Sequence, residues 1–175
     1  NLARKLADKT IELFQNKVSK MFYFTDENTR LIARKMDVND NVIPASNSVM
    51  CLNLWMLSVY FQDVRYEDDA RQMLANIYDG MEHYGSGYSN WAMALMNMIE
   101  PTSEVYITGP DWKENLLQIR QNYLPHILFS GGSKSDLIAM KGKISTRNQY
   151  YVCQNKTCSL PTEKIDDLIL KLKKR

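Results

Sequence analysis

Residues 43–61 read IPASNSVMCLNLWMLSVYF. Pro44 and the polar group Ser46, Asn47 and Ser48 have the composition of a helix start, with capping side chains ahead of an apolar run. From Val49 to Phe61 the only polar residues are Asn53 and Ser58. An exposed helix keeps one polar face, so a segment that is apolar nearly all round has to be covered on most sides. The run falls short of the about 20 apolar residues that span a bilayer. The spacing therefore predicts a core helix with other helices around it.

The neighbouring segments supply candidates for that cover. Upstream, Leu2, Leu6, Ala7, Ile11, Phe14 and Val18 recur at helical spacing among charges and predict an amphipathic helix of about five turns. Leu31, Ile32 and Met36 predict a short helix before the polar loop 37–41. Downstream, Tyr66, Ala70, Met73, Leu74, Ile77 and Met81 mark a second one-sided helix, which the YGSGYS stretch at 84–89 interrupts. Residues 90–99 are again apolar on nearly every side. The predicted order is one-faced, buried, one-faced, buried, as in stacked helical hairpins that turn one helix outward and one inward.

At Glu100-Pro101 the pattern changes. Val105–Thr108 predicts a strand, Trp112, Leu116, Ile119 and Tyr123 an amphipathic helix, and 126–130 a second strand after Pro125. This is the pattern of a parallel crossover. Residues 137–144 fit no single element. Residues 149–153 predict a third strand, and Pro161 opens a last helix with Ile165, Leu168, Ile169 and Leu172 on one face. The expected fold class is mainly α with a small α/β tail: helical hairpins over 1–100 and a three-stranded, largely parallel βαββα layer over 101–175.

Composition narrows the function classes. A hydrophobic fraction of 45% with 24% charged residues is a globular profile. A net charge of +2 gives no electrostatic footprint for nucleic acid or a membrane surface, and neither is expected as a partner. Lys171, Lys173, Lys174 and Arg175 suit the last turn of a helix, where cations meet the carbonyl end of the dipole. Three cysteines do not make a disulfide framework, and no secretory signal is recognisable. Cys51, inside the apolar helix, reads as a buried reduced thiol, and a reducing, cytoplasmic setting is expected. The chain opens at Asn1 inside a helical pattern, which reads as a piece of a longer protein.

Several residues carry possible chemistry. Cys153 and Cys158 stand at C-x4-C, with Lys156 between them. A thiol near a helix N-terminus and a lysine is stabilised as thiolate, so the pair reads either as structural or as redox-active. The spacing is not a zinc pattern, since no second pair exists, and no metal or cofactor is assigned. His83 and His126 have no nucleophile or carboxylate at a telling spacing. The pairs Asp26/Glu27, Asp68/Asp69 and Asp166/Asp167 point in divergent directions on an element, which suits solvated faces. Asp37 and Asp40 lead into the core helix and suit either a turn or a cavity mouth. Gly109 lacks the glycine pattern of a nucleotide loop. Tyr84, Tyr88 and Trp91, around the Gly85-Ser86-Gly87 bend, suit packing or stacking on a sugar ring.

Two stretches together resemble a known family. Residues 40–49, DNVIPASNSV, are similar to its Asp-Gly-Ala-x-Pro-Ser-Gly-Asn-Ser-Val segment, with Asn41 in place of Gly and Ala45-Ser46 in place of Ser-Gly. Residues 151–161, YVCQNKTCSLP, are similar to its Tyr-Val-Cys-x-Asn-x-Thr-Cys-x-x-Pro terminus. Residues 104–109 (EVYITG) and 123–125 (YLP) lie between them in the family's order. The family is that of the YyaL-type, thioredoxin-domain-containing proteins, including mammalian spermatogenesis-associated relatives.

The resemblance implies a C-terminal portion of a larger protein, which carries a thioredoxin-like domain followed by an (α/α)6 toroid. That toroid is similar to those of N-acylglucosamine 2-epimerases and some glycoside hydrolases. It makes the helical half two hairpins of a partial toroid and puts Asp40, Asn47, Ser48, Tyr88 and Trp91 where a toroid's ligand would sit. Three functions follow as expectations. One is a carbohydrate-active domain using that ligand loop, for which no catalytic residue is assigned. Another is a thiol-linked protein in which Cys153 and Cys158 work with the thioredoxin-like domain. The third is an interaction module that packs its apolar inner helices on the rest of the parent chain or on a copy of itself.

Overall fold

The structure is a computed structural model, and it describes residues 1–29, 31–100 and 102–173. Lys174 and Arg175 of the basic end lie outside the described residues. The chain divides into two compact units, Asn1–Met98 and Ile99–Arg175. No helix among the described residues is long and apolar enough to cross a membrane.

Among the described residues, the first unit holds four α-helices: α1 (Leu2–Phe14), α2 (Ser46–Phe61), α3 (Val64–His83) and α4 (Ser89–Ile99, whose last residue falls in the second unit). Gln62, with φ of 52°, turns the chain between α2 and α3, and Asp63 caps α3 by accepting from the Arg65 amide at 3.2 Å. A left-handed residue followed by an acidic cap makes a tight helical hairpin. Its core joins Cys51, Leu54 and Leu57 of α2 to Tyr66, Ala70, Met73, Leu74 and Ile77 of α3, with Trp91 and Ala94 of α4 and Ala7 of α1. Cys51, Leu54, Ala70, Met73, Trp91 and Ala94 are wholly buried.

This arrangement corrects the partial toroid expected from the sequence. Helices α1 and α2 are not a hairpin: residues 15–45 separate them, tied by isolated bridges Gln15–Phe22 and Tyr23–Met36. The expected short helix at Leu31–Met36 is absent, and Met36 pairs in one of those bridges. Nor are α2 and α4 buried all round. Val49 on α2 and Met93, Met96 and Ile99 on α4 are 42–68% exposed. Cover on most sides is what an apolar helix calls for; α2 has it apart from Val49, whereas α4 leaves several apolar side chains exposed. Helix α1 is also shorter than expected, ending at Phe14 rather than reaching Val18.

The second unit is a four-stranded sheet in the order β2-β1-β3-β4, with β1 Ser103–Thr108, β2 Ile127–Gly132, β3 Gln149–Gln154 and β4 Thr157–Cys158. Helix α5 (Trp112–Ile119) links β1 to β2, which run parallel with Ser103 beside Ile127. Helix α6 (Ile165–Lys173) follows β4 and starts four residues after Pro161.

The largely parallel, three-stranded layer expected for this tail is corrected too. Strand β3 runs antiparallel to β1, with Thr108 beside Gln149 and Glu104 beside Cys153, and β4 is antiparallel to β3. A parallel strand needs a crossover that returns the chain to the sheet's starting edge, usually by a helix. Residues 133–148 make only a single 3-10 turn at Ile138–Met140. They carry the chain from the end of β2 to the same end of β1, where Thr108 lies beside both Gly132 and Gln149, so β3 runs the opposite way.

Strand alternation gives the sheet two apolar faces. On one, Val105, Ile107, Tyr150 and Val152 pack with Ile119 of α5 and with Leu168 and Leu172 of α6. On the other, Tyr106 and Cys153 pack with Ala139 and Met140 of the 133–148 segment.

Candidate functional site

Two constellations contain the residues singled out in the sequence. The first is built on Asp40, which is 6% exposed. One carboxylate oxygen accepts from the Ala45 amide at 2.9 Å and from Ser48 Oγ at 2.7 Å; the other accepts from the Asn90 amide at 2.8 Å. Ala45 precedes α2 and Asn90 lies in the first turn of α4, so one carboxylate satisfies donors at two helix N-termini, where negative charge is favoured. Burial alone would raise the pKa of Asp40. The hydrogen bonds from Ser48, Ala45 and Asn90 outweigh it and hold the carboxyl below the ordinary value of 3.8.

The residues around it are equally engaged. Asn47 is wholly buried; its carbonyl accepts from the Phe22 amide at 2.6 Å, and its amide nitrogen donates to the carbonyls of Phe22 at 2.9 Å and Asp37 at 2.8 Å. Asp37 accepts from the Ser46 amide at 3.1 Å. The buried Trp91 donates from Nε1 to the Val38 carbonyl at 2.8 Å. Tyr88 lies over Gly80 of α3, where a Cβ would come within 2.5 Å of its hydroxyl. The start of α2 is thus capped by Asp37 and Asp40 from the preceding loop rather than by Ser46. Four of the five sequence-selected residues (Asp40, Asn47, Ser48 and Trp91) are joined here by hydrogen bonds that fasten 22–48 to α4.

The second constellation is a hairpin. Cys153 and Cys158 are disulfide-bonded, and they face each other directly across β3 and β4. The turn is two residues long, Asn155 and Lys156, with φ of 50° and 62°. Left-handed residues at both positions are the signature of the type I′ turn, whose twist suits a hairpin. The Ser159 amide donates to the Val152 carbonyl at 2.9 Å, which makes the cysteine pair the non-hydrogen-bonded kind. Side chains approach closest in such pairs, and here the Cα atoms are 3.9 Å apart. Cys153 is 2% exposed, while Cys158 is exposed.

The sequence reading missed β4 because Asn-Lys is not the usual Asn-Gly turn signal. Cys158 therefore sits on a strand and not at a helix start; α6 begins seven residues later. The remaining cysteine, Cys51, is free and wholly buried, and burial pushes its thiol up to about 12.

Around Cys153 the geometry is specific. Glu104 of β1 is its register partner, so the two side chains stand on one face of the sheet. Tyr106, two residues along the same face, hydrogen-bonds through its hydroxyl to the Glu104 carboxylate. Lys143 places its ammonium 4.7 Å from the centre of the Tyr106 ring and also donates to the Ala139 carbonyl.

The other flagged residues stand apart from both groups. His83 Nδ1 lies 2.7 Å from the Asp79 carbonyl on its own helix. His126 precedes β2 with φ of 59°. Gly109, with φ of 107°, is pressed against Asn148, whose side chain bonds the amide and carboxylate of Asp111 at 3.2 and 2.8 Å. That turn is closed by a side chain and a left-handed glycine. Among the described residues, no group of three or more His, Cys, Asp or Glu is placed to hold a metal ion.

No family model, no curated protein and no solved structure matches this chain.

Proposed function

We propose that this chain belongs with the YyaL-type proteins and acts as a thiol–disulfide exchange partner, with Cys153 and Cys158 cycling between disulfide and dithiol in a reducing, cytoplasmic setting. The observation that carries this reading is the half-open disulfide, in which one cysteine of the pair is exposed and the other buried. Exchange requires a thiolate to reach one sulfur while the other leaves.

The co-reactant is a protein dithiol of the thioredoxin class, which the family resemblance supplies. Its thiolate attacks Cys158 Sγ, the Cys153–Cys158 bond breaks, and Cys153 leaves and takes up a proton. The partner's second thiolate then attacks its own sulfur in the mixed disulfide and releases Cys158. The partner is oxidised to a disulfide and this chain is reduced to a dithiol, two electrons and two protons being transferred. The carbohydrate reading rests on Asp40, Asn47, Ser48, Tyr88 and Trp91, and the polar side chains of Asp40, Asn47, Ser48 and Trp91 are already engaged within the fold.

A trapping experiment tests the proposal. The oxidised full chain is incubated with a thioredoxin variant that keeps its attacking cysteine and lacks the resolving one. A covalent adduct mapped by peptide mass to Cys158 is expected. An unmodified chain after prolonged incubation, with the disulfide intact, would overturn the reading.

A further inference from the structure

The return half of the cycle poses a chemical problem at Cys153. Once reduced, its sulfur lies among Tyr106, Ala139 and Met140, where an ionised sulfur is costly. Yet a thiol attacks a mixed disulfide only as it loses its proton. A base must therefore stand beside it. We infer that Glu104 is that base: it receives the Cys153 proton as Cys153 Sγ attacks a mixed disulfide on Cys158. The inference rests on the exchange reading above and adds a residue to it.

Glu104 and Cys153 are directly opposed on antiparallel strands, which sets their Cβ atoms about 4.5–5.5 Å apart on one face. A carboxylate on a glutamate stem reaches a thiol across that gap. The Tyr106 hydroxyl holds the carboxylate on this face from the same strand. The other ionisable or charged groups facing this cluster are spoken for. Lys143 is held by the Ala139 carbonyl and the Tyr106 ring, and the Tyr151 hydroxyl donates to Gln149 Oε1 at 3.0 Å. Lys156 lies out in the hairpin turn.

The step balances. Cys153 S–H gives its proton to Glu104, Cys153 Sγ bonds to Cys158 Sγ, and the thiolate previously bound to Cys158 departs. Glu104 then returns the proton to water or to the departing thiolate.

The test uses the reduced full chain and an aromatic disulfide that liberates a coloured thiolate at each exchange. Modification of Cys158 releases one equivalent, and closure by Cys153 releases a second in a slower phase. Near neutral pH, Glu104→Gln is expected to slow the second phase about a hundredfold, at the low side of general-base effects. Its rate should then climb steeply with pH, as for unassisted thiolate formation, where the native chain has a flatter profile. Glu104→Asp should restore part of the rate. Tyr106→Phe, which keeps the carboxylate but frees it, should slow the same phase by a smaller factor, and it keeps the proposal testable if the Glu104→Gln variant fails to fold.

An unchanged rate and pH profile in Glu104→Gln would overturn the role of Glu104, as would a slower phase whose pH profile does not move. Release of only one equivalent by the native chain is a different result and removes the exchange reading itself.

Discussion

The Asp40 node and the Cys153–Cys158 hairpin are both polar constellations among apolar residues, yet they are built in opposite ways. At Asp40 every bond closes inward. A buried carboxylate meets two amides and a hydroxyl, and the neighbouring Asn47 meets three backbone groups. At the hairpin, one cysteine of the covalent pair is buried and the other is exposed. A fully satisfied buried network fixes a fold, whereas chemistry needs an atom that a second molecule can reach. The difference supports a structural role for the first site and the proposed exchange role for the second.

The comparison can be broken most forcefully at Asp40. Asp40→Ala leaves the Ala45 and Asn90 amides and the Ser48 hydroxyl without their acceptor, and should destabilise the first unit by about 3 kcal/mol. Urea unfolding followed by the fluorescence of Trp55 and Trp91, in the Trp112→Phe background, measures it. The same carboxylate sets an acid limb. Because its pKa in the folded chain lies below the ordinary 3.8, its contribution is complete above that pH and drains away as pH falls through the folded value. The stability gap between the native chain and Asp40→Ala should therefore narrow below about pH 4.

Asn47→Ala should cost somewhat less, about 2 kcal/mol, since its lost partners are neutral backbone groups. A loss under about 0.5 kcal/mol would mean that the loop is held by something other than these bonds.

The hairpin should respond differently. Its disulfide closes a short loop, at a sequence separation of 5, and chain-entropy arguments assign such a closure no more than about 2 kcal/mol. Reduction, or Cys158→Ser, is thus expected to leave the sheet folded, as amide exchange in β1 and β3 would report. Collapse of those strands on reduction would place the bond with the Asp40 node as a structural tie.

The smallest effect belongs to Cys51. Its folded thiol titrates at about 12 against an ordinary 9.0. The protonated form is favoured in the fold, so this contribution is complete below about pH 9 and is lost as pH rises from there toward 12. Cys51→Ala should flatten that alkaline decline while costing only about 1 kcal/mol near neutrality.

Much of the helical half was legible because periodicity reports burial: α2, α3 and α4 lie where the apolar spacing puts them. What periodicity cannot report is which chain supplies the cover, and α4 in particular leaves Met93, Met96 and Ile99 exposed. The capping of α2 escaped for a related reason. Ser46, Asn47 and Ser48 look like caps by type, but Asp37 and Asp40 arrive through a loop whose path only the tertiary fold specifies. In the second unit, β1, α5, β2 and β3 were readable from alternation and helical spacing, but alternation does not say which strand lies beside which. The pairing of Glu104 with Cys153, on which the proton argument turns, is a fact of register and had no local signal. The hairpin had one, the C-x4-C spacing with Asn155 in its centre, which permits a two-residue turn with facing cysteines.

The central claim is that Cys153 and Cys158 exchange while the protein stays folded, and an equilibrium redox titration tests it most directly. The full chain is poised in glutathione buffers of graded ratio, quenched with a maleimide and weighed, with near-ultraviolet circular dichroism recorded on the same samples. The account predicts that two labels appear together across a cytosol-like range of potentials, that Cys51 stays unlabelled, and that the dichroism of the aromatic side chains is retained. A pair that resists every buffer until the chain unfolds would contradict it.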